Sequence, residues 1–407
     1  MARKRKRDLT MAQQLARGPV DLPFLMLTMM LVGIGLIMVF SASYASAYYD
    51  SSKVVQNNPL FYVRRQLEFA MLGTVVMFLV SRVNYENLRW LSIPILLGAI
   101  VLLVLVLTPL GVTINKAKRW LRLFLLFGPT FQPSEIAKIA IIIFFSARLS
   151  KRDTEKKRKY TNRTLSGRTM NRLEKIGFLE LVPYGAVLGI VLLLVVKEPH
   201  MSGTILIMVG AAAVLFAGGI NIWWFLSAGG GVAALLTLII FSTNYMTSRV
   251  ELWKDPWLDP RGKGYQTIQS LYAIGSGGLL GLGLGNSRQK FLYIPEPEND
   301  FIFSIVVEEL GFVGAVVVLL LFALLILRGY WIALHARDKF GTLLVVGIMT
   351  LMAVQVFLNI GVVTNMIPNT GVSLPFFSYG GTALVIHMAE MGIVLAVSRQ
   401  IPAPKND

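Results

Sequence analysis

The chain contains no cysteine, so disulfides, thiolate metal sites and cysteine nucleophiles are excluded. Histidine is nearly as scarce. His200, His335 and His387 stand far apart in sequence, which argues against a histidine-built metal cage. Charge is short as well: 15% of the 407 residues are charged, where a soluble domain carries roughly 25%. Too few ionic side chains remain to cover a water-facing surface. Acidic residues are the rarer sign, 22 against 39 Lys and Arg, for a formal net charge of +17.

Hydrocarbon takes their place. Hydrophobic residues make up 55% of the chain, and the mean hydropathy is +0.63. Apolar runs recur near 23–43, 67–81, 91–110, 134–149, 178–196, 201–219, 221–242, 302–328, 341–365 and 374–398. A membrane-crossing helix needs about 20 such residues. The pattern predicts an all-α polytopic membrane protein of ten transmembrane helices, with a large extracytoplasmic loop between spans 7 and 8. Its parts are a basic tail over 1–22, a membrane domain over 23–398 and a short tail over 399–407.

Ten spans put both termini on one side, and the basic residues say which. Arg3–Arg7 and the loop 148–177 load Lys and Arg onto the side shared by the termini, which the positive-inside rule makes the cytoplasm. That use of the basic residues, with anionic lipid as contact, accounts for the excess charge without nucleic acid. The N-terminal apolar run is longer than the 7–15-residue core of a signal peptide and reads as a retained span.

Polar residues that break the apolar pattern mark candidate chemistry. The outer loop 243–300 is long, and its glycine-rich stretch 271–284 is too short to span, predicting a re-entrant or interfacial helix. Glu308 and Glu309 follow inside an apolar helix, where an unpaired carboxylate costs several kcal/mol. They must pair, turn to a polar interior or be neutral. Asp300, at the mouth of the same helix, reads from its position alone as an N-cap. Lys116, Lys118, Arg119 and Arg122 cluster outside, against the positive-inside trend, which suggests an anion such as phosphate, with lipid headgroups as the plainer alternative. Glu135 and Lys138 share one helical face and can neutralise each other. Gln355 with Asn359, and His387 with Glu390, form further same-face polar pairs that commonly join helices.

The tract from Gln289 to Gly311, containing Pro295-Glu-Pro-Glu-Asn-Asp300, resembles the signature of the SEDS family (shape, elongation, division and sporulation). Lys118-Arg-Trp120, Phe131-Gln-Pro-Ser-Glu135, Tyr265-Gln-Thr-Ile-Gln-Ser270 and Ile367-Pro-Asn-Thr-Gly371 with Ser378-Tyr-Gly-Gly381 resemble its other motifs, in order. The likeness covers essentially the whole chain, and the wording around Asp300 is closer to the division and sporulation branch than to the rod-elongation branch. Two motifs depart from the family's usual form: Asn115-Lys-Ala-Lys-Arg-Trp120 for Asn-Gly-Ala-x-Arg-Trp, and Glu198-Pro-His-Met-Ser202 for Gln-Pro-Asp-Leu-Gly.

The resemblance implies a peptidoglycan glycosyltransferase in the bacterial cytoplasmic membrane. It would polymerise lipid II at the outer face, at the division septum, beside a class B penicillin-binding protein (a transpeptidase) and other division proteins. It also implies that Asp300 is essential, in place of the plain N-cap. A sugar hydroxyl attacking a lipid-diphosphate sugar needs a base, for which Asp300 is suited. The leaving charge needs cations, and Lys118 and Arg119 are the candidates, with a divalent cation (Mg or Mn) as a further one. Trp120, Gln132, Glu135, Lys138, Gln266, Ser270, Glu308, Glu309 and Ser378 complete the expected substrate contacts. A lipid II flippase and a passive division scaffold are the competing classes. The outward concentration of polar groups speaks for the polymerase.

Overall fold

The computed structural model describes residues 18–401 apart from 53, 115–116, 123–129, 153–177, 199–200, 222, 225–226, 228–250 and 263. Its principal helices are α1 (Leu22–Tyr49), α2 (Phe61–Arg82), α3 (Glu86–Leu107), α4 (Pro133–Ser150), α5 (Phe178–Lys197), α6 (Met201–Ala217), α7 (Tyr265–Gly277), α8 (Ile302–His335), α9 (Lys339–Val363) and α10 (Gly381–Ser398). Of these, α1, α3, α8, α9 and α10 are long and apolar enough to cross a membrane. The lipid-facing sides of α2 and α3 expose Leu67, Met71, Leu72 and Val75, and Ile93, Leu97 and Val101. An apolar surface that broad belongs in a bilayer. The expected seventh span, 221–242, lies almost wholly outside the described residues, as do most of the tail 1–22, most of the loop 148–177 and residues 402–407.

Helix α9 is buried along most of its length and forms the centre, packed by α8, α6 and α4. Helix α10 lies against α2, and α1 lies between α2 and α8. At the membrane edges, side-chain caps fix the helix ends. Asp21 accepts from the Phe24 amide at 3.0 Å and receives Arg328 at 2.7 Å, while Asp338 caps α9 and receives the Tyr85 hydroxyl at 2.6 Å.

The structure corrects two expectations. The chain is not purely helical at the end of the bundle that carries Asp300. Residues Val112–Ile114 (β1), Ala117–Arg122 (β2) and Thr130–Phe131 (β3) form a small antiparallel sheet in the order β1-β2-β3. The last helix starts at Gly381, not 374. Pro375, the left-handed Phe376 (φ 65°) and the extended Gly380 keep 364–380 out of helix.

Helix α8 carries the decisive irregularity. At Gly311 the backbone takes φ 69° and ψ −173°, and the helix breaks one-third of the way along. Breaking a helix in hydrocarbon frees backbone groups that lipid cannot satisfy. Here the glycine-rich stretch after α7 satisfies them. The Leu282 and Gly283 amides donate to the Glu308 and Glu309 carbonyls, both at 3.0 Å, and the Phe312 and Val313 amides donate to Gly278 and Leu279 at 2.9 and 3.1 Å. A Cβ at Gly311 would lie 2.2 Å from the Gly281 nitrogen. Gly311→Ala therefore combines a disfavoured dihedral with a backbone clash, and a loss of about 2–3 kcal/mol or more is expected. Thermal unfolding in detergent checks this against Gly33→Ala, where the added carbon meets nothing within 4 Å. A large drop for the first variant and little change for the second is the expected result.

Candidate active site

The segment between α9 and α10 supplies the floor of the outer end. Because 364–380 is irregular, its backbone groups need side-chain partners, and buried polar residues from several helices provide them. The Asn359 amide group donates to the Val372 carbonyl at 2.7 Å and to the Asp300 carbonyl at 2.8 Å. Gln355 donates to the Ser373 carbonyl at 3.1 Å and approaches His387, which pairs with Glu390 at 2.9 Å. Gln66 donates to the Ser378 carbonyl at 3.2 Å and accepts from the Gly380 amide at 3.3 Å. Ser202 of α6 reaches the Gly371 carbonyl at 3.5 Å. The same-face pairs of α9 and α10 thus join helices through this segment.

Asp300 sits above that floor. The Pro295–Asp300 turn is anchored by Gln266, which donates to the Pro295 carbonyl at 3.3 Å and accepts from Asn369 at 3.5 Å. It is anchored again by the Tyr379 amide, which donates to the Glu298 carbonyl at 2.7 Å. Gly371, at φ 65°, lies so close that a Cβ there would be 3.2 Å from the Asp300 carboxylate. Asp300 makes no N-cap contact to α8, whose cap position, Phe301, has no side-chain hydrogen bond. Burial pushes the Asp300 carboxyl up to about 6; the field of Glu296 adds to the rise and Arg119 opposes it.

Arg119 comes from β2. The ladder is irregular there: Val112 pairs with Trp120 and Thr113 with Lys118, which leaves Arg119 as the extra residue of a β-bulge, a device that re-aims a side chain. Its Nε donates to the Glu198 carbonyl at 3.2 Å, at the turn between α5 and α6. Lys118, the neighbour of Arg119 in the strand, packs beside Gly111. Gln266 thus anchors the turn that carries Asp300, and Arg119 acts on the Asp300 carboxyl through its field. Gln132 stands at the N-cap of α4. Glu135 and the buried Lys138 lie in the first turns of that helix, paired at 2.7 Å.

Four other expected contacts have protein partners. Ser270 donates to the Val363 carbonyl at 2.8 Å, and the Ser378 hydroxyl accepts from the Leu374 amide at 2.7 Å. Glu308 and Glu309 are fully buried. Glu308 receives the Ser287 hydroxyl and the Arg288 amide, and Glu309 receives the Ser41 hydroxyl at 2.6 Å and Lys290 at 3.0 Å. These two acids hold the 285–290 loop onto α8. Glu296 and Glu198 are the site residues that sequence reasoning missed. Their signals were present, each acid standing directly before a proline at an outer helix end or turn.

The sequence and structure comparisons now decide the family. A family model described as "Cell cycle protein", covering FtsW, RodA and SpoVE, matches residues 22–402. The chain belongs to the FtsW/RodA/SpoVE family. Stage V sporulation protein E of Bacillus subtilis is 41% identical over 381 residues, spanning 93% of this chain and 97% of that protein. The probable peptidoglycan glycosyltransferase FtsW of Geobacter metallireducens is 36% identical over 388 residues, covering 94% and 95%. Among solved structures, a chain from a peptidoglycan synthase complex that coordinates polymerization and crosslinking superposes with a TM-score of 0.72 at 27% identity, covering 95% of this chain and 99% of that one. The rod shape determining protein RodA of Thermus thermophilus gives 0.61 at 26% identity, covering 95% and 98%. The SEDS resemblance and the polytopic membrane fold are thereby established for this chain.

Among the described residues, no three acidic or histidine side chains converge as a metal would require. The described residues do not by themselves fit a protein-held divalent cation. Lys290→Met should strand the buried Glu309 charge and cost about 3–5 kcal/mol, read as a lower unfolding midpoint. Adding Glu309→Gln to that variant should recover more than half of the loss.

Proposed function

We propose that this chain is a peptidoglycan glycosyltransferase that polymerises lipid II into glycan strands at the outer face of the cytoplasmic membrane during septal synthesis. The observation that carries the reading is Asp300, half-buried at the mouth of α8, with Arg119 within its electrostatic reach. Polymerisation needs both a proton acceptor and a cation at one place, and this pair supplies them. The names of the FtsW relatives and the peptidoglycan synthase structure support the same reaction class.

The reaction follows from those two groups. The acceptor sugar's 4-hydroxyl gives its proton to Asp300 while its oxygen bonds to the donor's anomeric carbon. The bond from that carbon to the lipid diphosphate breaks, and the diphosphate leaves with the electron pair. Arg119 meets the charge that develops. A single displacement inverts the anomeric centre. Gln266, Asn359 and Gly371 set where Asp300 stands, and Glu308 and Glu309 act at one remove by fixing the loop that leads to it. Lys118, Trp120, Gln132, Glu135 and Lys138 are the further substrate contacts of this reading, carried by β2 and the start of α4. Both termini are cytoplasmic in this reading, and the partner is a class B penicillin-binding protein that crosslinks the strands.

The test is lipid II polymerisation by the purified chain with its penicillin-binding partner. Asp300→Asn should lower the rate at least about 100-fold, the span general-base loss usually covers, while folding and partner binding stay intact. Equal rates for the two proteins would remove Asp300 from the chemistry. The pH profile is a second check. Asp300 must be ionised to accept a proton, so the rate should rise with pH through about 6. Glu296→Gln removes a negative neighbour, and should move that limb to lower pH.

A further inference from the structure

The turn that carries Asp300 holds a second acid, for which the reaction above has no task. Glu298 is 4% exposed, and its side chain reaches Ser46 of α1, Oε2 to Oγ at 3.3 Å. The same hydroxyl lies 3.0 Å from the Ser43 carbonyl. Ser46 has one proton for these two neighbours. A carbonyl can only accept, whereas a carboxyl donates once it is protonated. With Glu298 neutral, Ser46 gives its proton to Ser43 and receives that of Glu298, so both contacts are served. With Glu298 ionised, two acceptors share one proton, and a buried carboxylate is left short of donors.

We propose that Glu298 is a positioning residue for Asp300: as a neutral acid it ties the Pro295–Asp300 turn to α1, and as a carboxylate it releases that tie and the turn loosens. This rests on reading Asp300 as the base, which stands two residues further along the same turn. The backbone of Glu298 is tied as well, its carbonyl accepting from the Tyr379 amide at 2.7 Å. The neutral side chain therefore joins α1 to a turn already bound to the 364–380 segment. Burial favours that form, pushing the Glu298 carboxyl up to about 7; Glu296 adds to the rise, while the residue's own amide and Ser46 oppose it. Among the described residues, the charge that acts on Glu298 is that of Glu296 on the same turn. Tyr62 of α2 and Tyr379 both feel the Glu298 charge. Asp50, at the end of α1, acts on Tyr62, and Arg65 of α2 is hydrogen-bonded to Tyr379. Because the midpoint is raised, the tie is complete on the acid side and is lost as pH climbs through about 7.

Two measurements on the full chain test this. The first is the pH profile of lipid II polymerisation with the penicillin-binding partner. Wild type should gain rate through about 6 as Asp300 ionises, then lose it above about 7 as Glu298 does. One unit above the Glu298 midpoint only about a tenth stays neutral. Wild type should there run about tenfold below Glu298→Gln, whose amide donates to Ser46 at every pH, and the loss should fall on kcat more than on KM. The second needs no activity. The chain has no cysteine, so spin labels can be placed through Tyr48→Cys on α1 and Asn299→Cys on the turn, both reached by solvent. Their distance distribution in nanodiscs should be narrow at about pH 6, broaden at about pH 8, and stay narrow at both in Glu298→Gln. If the glutamine variant folds poorly, Ser46→Ala should give the broad distribution already at about pH 6. An alkaline loss of rate that persists in Glu298→Gln, or a wild-type distribution indifferent to pH, overturns the proposal. The expected broadening in a protein that makes no glycan would sink the polymerase reading and leave the tie standing. Polymerisation with one pH profile in wild type and Glu298→Gln would do the reverse.

Discussion

A membrane helix cannot break without something to satisfy the backbone it exposes, and the outer half of this protein is arranged around one such break. At Gly311 the first turns of α8 separate from the rest, and the glycine-rich stretch 278–283 supplies the missing hydrogen bonds. That pairing brings α7 against α8. It also starts the 285–290 loop in the right place for Glu308 and Glu309 to grip it through amides, hydroxyls and Lys290. The chain then has a fixed path back through Pro295–Asp300 to the mouth of α8. Asp300 stands where it does because the segments before and after it are both tied to that break.

Environment gives carboxyl groups of one type different work within this small region. Glu309 is compensated by Lys290 and two hydroxyl or amide donors, so it can serve as an anchor. Asp300 is crowded by protein and by Glu296, which lifts it to about 6, while Arg119 keeps it ionisable near neutrality. Glu298, buried with a single hydroxyl donor from Ser46 at 3.3 Å, is pushed up to about 7. Glu198 lacks even that and rises to about 8. Burial is the largest cause in all three raised acids; Arg119 opposes it at Asp300 and Glu198, and hydrogen bonds oppose it at Glu298. A base poised near neutral pH is therefore a product of packing as much as of residue choice.

Much of this was legible in the amino-acid sequence, and the failures have physical causes. Hydrophobic length located α1 to α6 and α8 to α10 because lipid imposes the same demand on every span. The onset of α10 was misplaced because Leu374, Phe376 and Phe377 are apolar yet sit in an irregular segment, where buried Gln66, Gln355 and Asn359 satisfy the backbone. Hydropathy has no view of that. The sheet at 112–131 was hidden because its strands are two to six residues long and carry the basic cluster. Asp300, Arg119 and Gln266 could be named from motif resemblance. To see that Arg119 stands at a β-bulge required knowing that the strand existed. Ser270, Ser378, Glu308 and Glu309 were named as substrate contacts within the motifs, and each has a protein partner that motif resemblance does not reveal.

Glycosyl transfer at the mouth of α8 requires substrate presented from the leaflet that Asp300 faces. The most direct measurement uses proteoliposomes with the chain and its penicillin-binding partner in one orientation, and lipid II added to a single leaflet. The account predicts glycan strands when substrate is confined to the Asp300 leaflet, and none when it is confined to the opposite one. Movement of lipid II between leaflets without strand formation would contradict it.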